Sequence, residues 1–388
     1  MYTLFQLRIS ASMAAAASFK KLLLLLPNIL LLCSLISFVS FARSHPLKIC
    51  NFDQIYQLGD SISDTGNLIR EFPIGSSTPF ARLPYGETFF KNATGRCSNG
   101  LLMIDYIALD AGLPFLPAYK DRDADFKHGV NFAVAGSTAL PSHVLAAKHI
   151  LSPVTTSSLT IQLGWMSTHF NSICLHHREC AEKLQTALFM VGEIGGNDYN
   201  YAIFQGKTMD ELQSMVPEVV HAIINAVRRV ISFGATRVVV PGNFPIGCLP
   251  IYKTAFHTNK LAAYDENRCL KQLNDFAMYH NEQLQQAIEK LQQEHPNAII
   301  VYADYYNAYQ YLLHFAKSHG FDTERACCGS GGKYSFNMTR MCGAPGVGVC
   351  ADPGRFLSWD GVHLTQQGYK IMAGWLVHDI FTNLHCHF

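Results

Sequence analysis

Short unbroken apolar runs alternate with longer segments whose apolar positions recur at helical spacing. Residues 55–58, 186–191, 237–240 and 298–302 are such runs, each stopped by glycine, proline or polar turn residues. Runs this short, rich in valine and isoleucine, predict strands buried on both faces. Between them, Leu212, Val216, Val219, Ile223, Val227 and Val230 mark one amphipathic helix. Thr208 and Glu211 form a capping-box pattern at its start, and Gly234 closes it. Leu270, Leu273, Ala277, Leu284 and Leu291 mark a second helix that ends before Pro296. Met372, Trp375, Leu376 and Ile380 lie on one face of a last helix. Alternation of this kind predicts an α/β fold with a parallel sheet covered by helices on both faces.

The N-terminus breaks the pattern. After Lys20-Lys21, residues 22–39 are apolar apart from Pro27, Asn28 and two serines, and small residues Ala42 and Ser44 follow. A charged start, an apolar middle and a small-residue exit predict a secretory signal peptide over about residues 1–44, leaving 45–388 as a single domain. The apolar span is also long enough for an uncleaved anchor, although Pro27 interrupts it. Of 12 cysteines, Cys33 falls in this leader, which leaves an odd number. Cys174 and Cys180 bracket a short loop, Cys248 and Cys269 a longer one, and Cys327, Cys328, Cys342 and Cys350 cluster in a glycine-rich stretch. In an exported chain these read as disulfides, with Cys50 paired to Cys97 and Cys386 left over. Zinc is the competing reading of the cluster, which lacks paired Cys-x-x-Cys spacing. Asn92 and Asn337 head glycosylation sequons that suit the same route. The formal charge is +1 with no Lys/Arg block, which argues against nucleic acid or an anionic membrane as partner. No stable membrane association is expected once the leader is removed.

Candidate chemistry lies at the two ends of the domain. Gly59-Asp60-Ser61-Ile62-Ser63-Asp64-Thr65-Gly66-Asn67 follows the first predicted strand, so Ser61 leaves the carboxyl end of a buried strand, where open α/β sheets place their ligands. A serine hydroxyl needs a base within hydrogen-bond reach to act as nucleophile. Near the other end, Trp359-Asp360-Gly361-Val362-His363 supplies a base, His363, and a carboxylate, Asp360, that one turn can present together. Gly136, within residues 129–137, and Asn197, within Gly195-Gly196-Asn197-Asp198, are candidate donors to a developing oxyanion. Each segment alone reads equally as an ordinary turn. The elbow Gly-x-Ser-x-Gly of the common α/β-hydrolases is not met, because Ser63 stands where a second glycine is required.

Together, and in this order, the segments resemble the four blocks of the plant GDSL esterase/lipase family within the SGNH hydrolases. The resemblance covers about residues 50 to 385, with Ile62 where the family name has leucine. It implies a three-layer α/β/α sandwich with about five parallel strands, agreeing with the alternation above. It implies Ser61 as nucleophile, His363 as base oriented by Asp360, an oxyanion hole from Ser61, Gly136 and Asn197, no cofactor and no metal. Segments such as Val191-Gly192-Glu193-Ile194 and Pro241-Gly242-Asn243-Phe244 are similar to a branch with sinapine and acetylajmalan esterases. That branch suggests small acetyl or hydroxycinnamoyl esters of specialised metabolites as substrates. An acyltransferase using the same serine, a lipase on acyl lipids and a non-catalytic binding protein are the alternatives. Aromatic residues between Tyr302 and Tyr311 are a candidate acyl-pocket wall, although a stripe beside a strand is more often core.

Overall fold

Alternating side chains on five strands sort the helices onto two sides of a sheet. In the computed structural model, which describes residues 45–386, the strands are β1 (Gln54–Leu58), β2 (Gly129–Asn131), β3 (Ala187–Val191), β4 (Arg237–Pro241) and β5 (Ile299–Ala303). They are all parallel, in the order β2-β1-β3-β4-β5. Successive strand residues point to opposite faces. Tyr56, Leu58, Phe189, Val191, Val238 and Val240 therefore pack with helices Leu159–Ile173, Met209–Phe233 and Lys271–Glu294. Ile55, Leu188, Met190, Val239 and Val301 pack with helices Met103–Asp110, Tyr305–Ser318 and Gln366–Asn383. The result is a three-layer α/β/α sandwich. The residues from Pro46 onward form one compact unit.

The helix boundaries follow their capping residues. Thr208 Oγ1 accepts the Glu211 N–H at 3.3 Å while Glu211 Oε2 accepts the Thr208 N–H at 2.7 Å, so the expected capping box is formed. Gly234 ends that helix with φ +119°. The helix predicted from Leu270 onward runs Lys271–Glu294. The leader expected at residues 1–44 lies outside the described residues. Among the described residues, no helix is long and apolar enough to cross a membrane.

The strand order also creates the crevice. β1 has β2 on one side and β3 on the other, so the connections leaving β1 and β3 diverge at their carboxyl ends. A gap opens where such connections part.

One expected disulfide is corrected. Cys50 pairs with Cys386, not with Cys97, and Cys97 is a free, buried thiol. Spacing gave no hint of this, because the bridge closes a separation of 336 residues after the final helix returns beside the first residues of the domain. The other bridges are Cys174–Cys180, Cys248–Cys269, Cys327–Cys350 and Cys328–Cys342. The four clustered sulfurs are thus paired with one another rather than held as thiolates for zinc. Replacing both Cys50 and Cys386 by serine is expected to lower stability by about 2–5 kcal/mol, since the unfolded chain loses its longest cross-link. The denaturant midpoint should fall while kcat/KM stays unchanged.

Candidate active site

Three carboxyl-end loops of the sheet and one loop from the far end of the chain meet over β1. Asp60 N–H donates to the Glu193 carbonyl at 2.9 Å, and Val134 N–H to the Gly59 carbonyl at 3.2 Å, so the loops after β1, β2 and β3 are laced by their own backbones. Buried side chains add to this. Asp64 accepts the N–H groups of Gly66, Asn67 and Leu68 from its own loop and that of Ala135 at 2.8 Å from the next. Asn67 donates to the carbonyls of Asn131 and Ala133, both at 2.8 Å. Gln162 holds Gly59 from the helix below through its N–H at 2.9 Å and its carbonyl at 2.8 Å. These contacts set the backbone on which Ser61 stands.

His363 Nε2 lies 2.8 Å from Ser61 Oγ, and His363 Nδ1 lies 2.7 Å from Asp360 Oδ2. The turn predicted around Asp360 presents both groups as expected. Asp360 Oδ1 accepts the Val362 N–H at 3.0 Å and the His363 N–H at 2.8 Å, which fixes carboxylate and imidazole relative to each other. Gly361 makes the turn possible: its φ is +96°, and a Cβ there would come within 2.2 Å of the Phe336 ring. Burial works to raise the Asp360 carboxyl, but His363 and the backbone N–H groups outweigh it and hold the group below its ordinary range. Ser61 is half-buried, whereas Asp360 and His363 are 2% and 5% exposed. The hydroxyl therefore faces the opening, with the hydrogen-bonded Asp360–His363 pair behind it.

Gly136 and Asn197 reach the same gap. Gly136 has φ +84°, and a Cβ there would press within 2.5 Å of Val154. Asn197 Nδ2 donates to the Ser137 carbonyl at 2.9 Å, and its second N–H is held only at 3.5 Å by Asp60. Among the described residues, the N–H groups of Ser61 and Gly136 engage no acceptor. Both residues line the cavity, so these amides are available to an acceptor that enters it. Asp198, beside Asn197, does not face the gap; it accepts the N–H groups of Ala139 and Leu140 at 2.8 and 2.9 Å and so pins the second loop.

Four of the five predicted residues, Ser61, Gly136, Asn197 and His363, border one cavity of about 410 Å³, and Asp360 stands behind His363. Its walls are largely apolar and aromatic, with Phe80, Tyr201, Phe204, Phe244 and Tyr252. Met338 and Met341 reach it from the loop closed by the Cys328–Cys342 bridge. Among the described residues, its ionisable lining besides His363 and the tyrosines is Asp60 and Glu193, with no lysine or arginine. Burial raises the Glu193 carboxyl to about 7, partly offset by the Tyr305 hydroxyl. Burial likewise pushes Asp60 up, and the nearby carboxylates of Glu193, Asp198 and Asp64 add to it. None of the aromatic residues between Tyr302 and Tyr311 lines the cavity. Tyr305 and Tyr309 are buried and support Phe244 from behind, at ring distances of 5.5 and 5.9 Å. Asn92 is exposed and Asn337 is half-buried on the disulfide-braced loop, where its Oδ1 accepts from both the N–H and the hydroxyl of Thr339 at 2.8 Å.

Sequence reasoning missed Asp64, Gln162 and Tyr85, whose hydroxyl donates to Asp360 Oδ2 at 2.8 Å. Asp64 was legible in part, because an aspartate in a turn commonly accepts the backbone N–H two residues on, here that of Gly66. Gln162 and Tyr85 carry no local signal; each acts across a contact that only the folded chain creates.

Comparison with known proteins agrees with this fold. The family model for GDSL-like lipase/acylhydrolase matches residues 55–376. Acetylajmalan esterase 2 of Rauvolfia serpentina is 45% identical over 351 residues, covering 90% of this chain and 96% of the relative. Acetylajmalan esterase 1 of the same plant is 45% identical over 349 residues, covering 89% and 91%. A GDSL esterase/lipase of Arabidopsis thaliana is 45% identical over 359 residues, covering 91% and 97%.

Proposed function

Since the chain belongs to the GDSL-like lipase/acylhydrolase family and is a carboxylic ester hydrolase, we propose that it cleaves small specialised-metabolite esters through an acyl-enzyme on Ser61. The observation that carries this reading is the 2.8 Å contact between Ser61 Oγ and His363 Nε2 at the mouth of an apolar cavity. Ser61 Oγ attacks the ester carbonyl as His363 Nε2 takes its proton. Asp360 keeps the remaining ring proton on Nδ1 and stabilises the imidazolium. The carbonyl oxygen, now an anion, moves toward the Ser61 and Gly136 N–H groups and the Asn197 amide. Collapse breaks the bond to the alcohol oxygen, which leaves with the proton from His363. Water then attacks the acyl-serine with His363 again as base, releasing the acid and restoring Ser61.

The cavity supports the substrate class. About 410 Å³ of largely apolar space lies in the range of small-molecule sites and takes an acetyl or aromatic acyl group. Among the described residues the lining holds no lysine or arginine, so it offers no cationic partner to an anionic ester. The acetylajmalan esterase relatives are named for an acetyl ester, which fits a small acyl group on Ser61. A secretory route, with glycans on Asn92 and Asn337, is supported by the N-terminal apolar stretch and by five disulfides.

The test is a panel on the purified full chain: acetylated alkaloids, choline esters and long-chain triacylglycerols. Turnover should be highest on the acetyl or choline esters, and a fluorophosphonate should label the protein at Ser61. Preferential triacylglycerol hydrolysis would overturn the substrate class, and absence of labelling would overturn the mechanism.

A further inference from the structure

The carboxylate behind His363 has a donor that its own loop does not supply. Of four groups that donate to Asp360, the Val362 N–H, the His363 N–H and the His363 ring all lie within three residues of it. They move wherever the loop moves. The fourth is the Tyr85 hydroxyl, 275 positions earlier, which shares Oδ2 with the imidazole. Tyr85 is 2% exposed. Phe80 meets its ring edge-on at 5.0 Å and Trp359 at 6.1 Å, and Phe80 also meets the His363 ring edge-on at 6.1 Å.

We propose that Tyr85 is a positioning residue for ester hydrolysis, its hydroxyl anchoring the Asp360 carboxylate from outside the loop so that Oδ2 stays aligned with His363 Nδ1. The proposal rests on the roles given above to Ser61, His363 and Asp360. Two physical effects follow. First, the carboxylate plane is held by donors on both oxygens, two of them on Oδ2, so rotation away from the imidazole breaks a buried hydrogen bond to a charged group. Second, a phenol O–H on Oδ2 draws off part of its basicity, which keeps the shared proton on the imidazole nitrogen as the imidazolium forms. Burial, and then the charge of Asp360, push the Tyr85 phenol well above its ordinary value, so it remains a donor. The other ionisable groups near the pair, the Cys97 thiol and the Tyr369 phenol, are also pushed up by burial and stay neutral.

Tyr85→Phe keeps the packed ring and removes only the hydroxyl. Its kcat should fall about 10-fold with KM unchanged, the effect of losing one hydrogen bond to a charged group. The acid limb of the kcat/KM profile should move to higher pH, because a carboxylate relieved of the phenol attracts the imidazolium more strongly. In an Asp360→Asn background the same change should cost nothing further, since the hydroxyl acts through that carboxylate. Equal losses in both backgrounds with an unmoved pH profile would make Tyr85 a packing residue and overturn the proposal. If Ser61→Ala is inactive and Tyr85→Phe is silent, this inference alone fails. Full activity of Ser61→Ala would instead remove the reading on which it rests.

Discussion

Ser61→Ala should reduce kcat on a p-nitrophenyl acetate-type ester by about 10⁶-fold, the scale of removing a serine nucleophile that works with its base. The fold should survive. Ser61 is half-buried at the cavity, and its hydroxyl contacts His363. The turn it stands on is held by other groups, chiefly Asp64, Asn67 and Gln162. A thermal midpoint close to wild type is therefore expected beside the lost turnover. The two groups act as a unit, so Ser61→Ala combined with His363→Ala should be no worse than either alone. Full esterase activity in Ser61→Ala would displace the nucleophile to another residue.

Asp360→Asn should lower kcat by about 10⁴-fold, although only one atom changes. The reason lies in the donors around the carboxylate. Oδ1 receives two backbone N–H groups, and Oδ2 receives the His363 ring and the Tyr85 hydroxyl. An asparagine must present its NH₂ to one of these pairs. Facing the backbone, it clashes with two fixed donors. Facing His363, it turns Nδ1 into an acceptor and moves the ring proton to Nε2, where the Ser61 proton must go. The imidazole then cannot act as base. Loss of turnover with retained KM and intact near-UV circular dichroism is the expected result. A loss below tenfold would mean that His363 does not need this carboxylate.

Several parts of this design were legible along the chain. The runs at 186–191, 237–240 and 298–302 became β3, β4 and β5 within one residue at either end, because buried parallel strands need apolar side chains on both faces. Asp360 and His363 were legible because a three-residue spacing keeps them on one turn. Cys50 was misassigned because sequence spacing carries no information about a bridge between the first and last turns of the domain. Tyr85 was invisible because its partner is 275 residues away.

Residue order alone determined the element types, the identity of the chemical groups and the segments that carry them, since period, capping and turn geometry are local properties. Only the tertiary structure decided that Ser61 and His363 meet, that the loops after β1, β2 and β3 close on one cavity, and that Tyr85 completes the shell of Asp360. These are long-range contacts. They depend on the strand order β2-β1-β3-β4-β5, which parts the loops beside β1, and on the last helix packing across the sheet to bring residues near 360 back to residue 61.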